Sequence, residues 1–114
     1  MGTEWSYQHE KFTHARRALM LPHPQGEAES LVIAFHECGH GLRGVDVDRI
    51  DDARVRGLIA KVETAMNTDS LMDTTGRGLF YERAESMTTQ EKSAFADAVD
   101  ELTSWFSREF WGAD

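Results

Sequence analysis

Cysteine is nearly absent: Cys38 stands alone in 114 residues, so no internal disulfide can form and the fold must rest on its apolar core. Proline is confined to Pro22 and Pro24, which leaves long stretches on either side free to be helical. The longest apolar run, Leu31 to Phe35, is far short of the roughly 20 residues a membrane span needs. Positive charge is also scarce. Twenty Asp and Glu against twelve Lys and Arg give a net charge of -8, which repels the phosphate backbone that dominates nucleic-acid affinity, so DNA or RNA is not an expected partner. The start MGTEWSYQHEK lacks the basic and apolar regions of a secretory signal, and with one cysteine the expected compartment is the cytoplasm.

What remains is a chain of one-domain length with enough apolar residues, 40%, to bury a core, and it is read as a single helical domain over residues 1–114. Trp5, Phe12, Ala15 and Leu19 fall on one helical stripe that Pro22 ends, and Pro22 to Gly26 reads as a loop. A second helix is expected from Glu27, with Leu31, Phe35, Cys38 and Leu42 on one face. Val32, Ile33 and Ala34 add apolar surface off that face, which makes this the expected core helix. Gly39, Gly41 and Gly44 predict that it ends between Gly41 and Gly44. A third helix reads from about Asp48 to Asn67, with Asp46 or Asp48 as its cap, Val55, Leu58, Val62 and Ala65 as its stripe, and Asp52 spaced to pair with Arg56. Residues 68–87 read as irregular, Leu79-Phe80-Tyr81 being too short to assign. The clearest helix starts at Thr88, where Thr88 and Glu91 form a capping-box pattern, and runs through Phe95, Val99, Leu102, Phe106 and Phe110. The expected fold is all-α, a compact bundle of about four helices with an irregular segment before the last.

One motif carries chemistry. His36-Glu37-Cys38-Gly39-His40 is an HExxH on the second expected helix, and residues four apart share a helical face, so both imidazoles can reach one ion. This stretch resembles the zinc metallopeptidases. The resemblance implies His36 and His40 as zinc ligands, Glu37 as the general base that polarises a bound water, and a third ligand for which Glu63 on the next helix is the candidate. The longer HExxHxxGxxH form is not met, because Arg43 and Asp46 stand where the glycine and the last histidine would be. Arg17 and His23 resemble, by type alone, the Arg-and-His signature of some helical-bundle ribonucleases, but Pro22 breaks the helix between them. The competing account of the HExxH residues is structural: Phe35 and Cys38 pack inward, Cys38 as a small buried hydrophobe, and the histidines sit at the core rim.

Two functions therefore stand side by side. The first is a small acidic interaction or accessory module that binds another protein without catalysis and without a cofactor, with Trp105 and Trp111 off the aromatic stripe of the last helix as candidate contact residues. The second is a zinc-dependent hydrolase built on His36, His40, Glu63 and Glu37.

Overall fold

The last helix shows best how local signals become structure. Thr88 Oγ1 accepts the Glu91 N–H at 3.1 Å while Glu91 Oε1 accepts the Thr88 N–H at 2.9 Å, a complete capping box. From there a helix runs over Thr89–Trp111 and buries Phe95, Ala98, Val99, Leu102, Thr103 and Phe106, residues spaced to share one face.

The computed structural model describes residues 5–23 and 25–112, and among them the regular elements are all helical. In chain order these are α1 (Ser6–Ala18), α2 (Glu27–Leu42), a 3-10 turn (Val47–Arg49), α3 (Ala53–Ala65), α4 (Leu79–Ser86) and α5 (Thr89–Trp111). The all-α bundle matches the sequence expectation, with one more helix than expected: residues 79–86 of the segment read as irregular are helical. The third helix starts at Ala53 rather than near Asp48. Two acidic residues there act as separate caps. Asp46 caps the 3-10 turn by accepting the Asp48 N–H, and Asp52 caps α3 by accepting the N–H groups of Arg54 and Val55. Arg56, expected to pair with Asp52, instead donates to the Ile50 carbonyl.

α1 packs on both α2 and α5, α3 packs on α5, and α4 packs on α2. Four phenylalanines from three helices, Phe12, Phe35, Phe95 and Phe106, are fully buried. Their ring centroids lie 5.1 Å apart for Phe12 and Phe106 and 5.0 Å for Phe35 and Phe95, with Phe80 of α4 added at 5.3 Å from Phe35. Burying each such ring contributes about 2–3 kcal/mol, so this cluster accounts for a large part of the stability. Gly41 lets α1 and α2 approach closely, since a Cβ there would sit 3.0 Å from Phe12 Cε2. The Thr103 hydroxyl, buried between α5 and α1, shares its proton between the carbonyls of Phe12 at 3.0 Å and Val99 at 2.7 Å, so this buried hydroxyl is satisfied. No helix among the described residues is long and apolar enough to cross a membrane.

Candidate functional site

α2 holds the HExxH residues, and its inward face is Ser30, Leu31, Ala34, Phe35, Cys38 and Gly41. That leaves the motif's polar side chains on the flanks. His36 is exposed and its ring stands at 77° to that of Phe80, with centroids 4.9 Å apart. Glu37, about 100° further round the helix, turns the other way, toward α1. Its Oε2 lies 3.7 Å from His14 Nδ1 and its Oε1 3.5 Å from Lys11 Nζ. Oε1 is buried without a hydrogen bond, and at that separation the Lys11 ammonium compensates its charge coulombically. His40 is half-buried one turn beyond His36, and Glu63 is exposed on α3, a helix that packs on α5. Among the described residues no three His, Cys, Asp or Glu side chains come together in an arrangement able to hold a metal ion. His36 leans on α4 while Glu37 is engaged by α1. Cys38 is fully buried, and burial, with the Glu37 charge adding to it, pushes the thiol pKa up and keeps the sulfur protonated and inert.

The two tryptophans named from the sequence differ. Trp105 is half-buried, with its ring edge-on to Trp5 at 5.6 Å and to Phe106 at 5.2 Å, so it closes one end of the core. Trp111 is 68% exposed at the end of α5, beside Phe110, which is itself half-buried and stacked on His9 at 5.0 Å rather than part of the core.

Sequence reasoning missed a gathering of exposed apolar side chains. Leu21 is 81% exposed, Met20 55% and Ile33 45%. Met20, Pro22 and Ile33 line one open groove of about 340 Å³ between α1, the loop after it and α2, whose polar lining is His14, Arg17, Gln25 and Ser30. The signal was present in two pieces: Met20-Leu21-Pro22 lies beyond the α1 stripe, and Ile33 lies off the α2 stripe. Nothing local says that they meet. Arg17 and His23 go to separate places, Arg17 to this groove and His23 to a second depression lined with Glu27, Lys92, Thr89 and Ser93. There the Lys92 ammonium, 2.5 Å from Glu27, holds that carboxyl below its usual pKa.

The loop before α4 is another feature invisible in the sequence. Glu82 Oε2 accepts the backbone N–H and hydroxyl groups of both Thr74 and Thr75 at 2.9–3.2 Å, and Asp73 accepts the N–H groups of Gly76 and Gly78. Arg77 lies over the Tyr81 ring, 4.0 Å from its centroid, and pairs with Glu29, which ties the loop to the start of α2.

Comparison with known protein families, with curated proteins and with solved structures finds no match.

Proposed function

We propose that this chain is a small acidic interaction module that binds another protein through the corner formed by α1, the loop after it and α2, with no catalysis of its own. The observation that carries the reading is the meeting of Met20, Pro22 and Ile33, contributed by two elements, around one groove, with Leu21 standing out beside it. A single exposed leucine is ordinary, but large apolar side chains gathered on a concave surface mark recognition sites. Trp111, large, rigid and exposed, is a secondary contact on the same module. The cytoplasm is the proposed compartment, in keeping with a lone buried cysteine.

The test is photo-crosslinking in the native host, with benzoylphenylalanine placed at position 21, at position 33, or at the exposed acidic position Asp97 on α5. A discrete adduct with one protein at positions 21 and 33 and not at 97 supports the docking corner. Identical adducts at all three positions, or none at 21 and 33, remove it.

A further inference from the structure

We infer that the groove receives an acidic segment of the partner, a stretch bearing two or three large aliphatic side chains flanked by carboxylates. This rests on the reading of the α1–α2 corner as a docking surface and specifies what docks there. In a chain with twenty Asp and Glu against twelve Lys and Arg, other depressions include Glu27, Glu29 or Glu91, and the one around Arg16 and Arg108 is lined by polar residues throughout. This groove instead joins a cation to apolar side chains. Its charged and titratable lining is His14 and Arg17, with no carboxylate among the lining residues. The neighbouring cations of α1 are already engaged, Lys11 with Glu37 and Arg16 with Asp100 at 2.7 Å, whereas Arg17 makes no ion pair among the described residues. Arg17 therefore brings an uncompensated guanidinium to the rim of an apolar floor.

That combination selects among occupants. A purely apolar segment covering the floor would strip water from Arg17 and give it nothing in return. A basic segment would face like charge from Arg17. A second copy of this chain docked groove to groove across a two-fold axis would bring two Arg17 guanidinium groups into one contact whose lining holds no carboxylate to pair with either. An acidic segment satisfies both features at once: its aliphatic side chains cover Met20, Pro22 and Ile33, and a carboxylate takes the bidentate donor face of Arg17.

The experiment is an NMR titration of the isotopically labelled full chain with a short synthetic peptide of Leu, Ala and Glu patterned as an amphipathic helix, and with its counterpart in which every Glu is Lys. The Glu peptide is expected to shift the Met20 and Ile33 methyl signals and the Arg17 side-chain signal together, and its affinity is expected to fall about fivefold in Arg17→Glu but not in Arg108→Glu, an exposed cation elsewhere. The Lys peptide is expected to act on the acidic surfaces and leave Met20 and Ile33 unmoved. Four results overturn the inference: no groove shifts with the Glu peptide, equal or larger groove shifts with the Lys peptide, an affinity indifferent to Arg17→Glu, or groove shifts that grow with protein concentration alone. A crosslink at position 21 in cells combined with failure of this titration leaves the docking surface and refutes the acidic partner. Success here with no adduct in cells establishes the groove's preference and refutes the functional reading.

Discussion

α2 and α5 each give a full face to the core, yet they are built differently at their ends. α5 starts on a capping box, runs through twenty-three residues and shows mostly carboxylates and small polar groups outward. α2 starts on Gly26 at φ 99° with no side-chain cap, closes on His40-Gly41-Leu42, and exposes Ile33 and His36. Weak ends and an apolar outer residue are both departures from what a helix needs merely to fold. Local and global requirements agree at the start of α5 and along its buried face, whereas α2 departs from them at its start and at Ile33; α5 departs only at its far end, where Trp111 is exposed.

The comparison breaks most visibly at the inner faces. Phe106 touches Trp5, Phe12 and Trp105, and Phe35 touches Phe80 and Phe95. If both helices share one core, Phe106→Ala and Phe35→Ala each cost about 3–5 kcal/mol, enough to lower the thermal midpoint by more than about 10 °C in a circular-dichroism melt. A small loss for Phe35→Ala alone would make α2 peripheral.

A second test separates helix propensity from packing. Gly41 is buried against α1, and a new Cβ would meet Phe12 ring carbons at 3.0 and 3.1 Å and Lys11 Cβ at 3.1 Å. Gly57, exposed in α3, has nothing within 4 Å of the same position. Alanine improves helix propensity at both sites, yet Gly57→Ala is expected to stabilise by about 0.5–1 kcal/mol and Gly41→Ala to destabilise by about 1–3 kcal/mol in urea unfolding. Gains at both positions would show that α1 can move off α2.

These contacts also explain what the sequence made legible. α5 was readable to its first residue because cap and stripe are local: Thr88, Glu91 and the spacing from Phe95 to Phe106 suffice. The same period carries on to Phe110, which the structure leaves half-buried at the end of α5, against the His9 ring of α1 and beside Trp111. α4 was missed because its stability is tertiary: one turn of apolar sequence becomes a helix when Phe80 finds Phe35 and Glu82 gathers Thr74 and Thr75. The HExxH spacing does guarantee that His36 and His40 share a side of α2, but the arrival of a third donor depends on where α3 lies, and the direction of Glu37 depends on Lys11 and His14 of α1. The groove is non-local for the same reason, being made by a loop and a helix that share no pattern.

The cap of α5 gives a smaller and pH-dependent effect. Thr88→Ala should cost about 1 kcal/mol by freeing the Glu91 N–H. The Glu91 carboxyl is held below its ordinary 4.5, chiefly by the Thr88 backbone N–H and then by Arg83. A carboxyl with a depressed folded pKa stabilises the fold fully above its unfolded value and loses that contribution as pH falls through the folded value. The stability difference between the wild type and Glu91→Gln should therefore be present above pH 4.5 and vanish on further acidification, and a ¹³C titration should place the Glu91 midpoint below 4.5. A midpoint at or above it would mean that the box is open in solution.

The smallest effect is expected at the motif itself. His36 is exposed beside the Phe80 ring, and His40 is half-buried in no group of three potential metal ligands among the described residues, so His36→Ala and His40→Ala should each move stability by less than about 0.5 kcal/mol. Equilibrium dialysis of untagged protein against zinc, followed by metal analysis, should find no stoichiometric ion and no difference between wild type and the double substitution. The alternative has a distinct signature. A real site with His36, His40 and Glu63 as ligands would bind one zinc per chain, raise the melting temperature on saturation, and lose both properties in the double variant. That result would require Glu37 to leave Lys11 and His14, and it would return the hydrolase reading to first place.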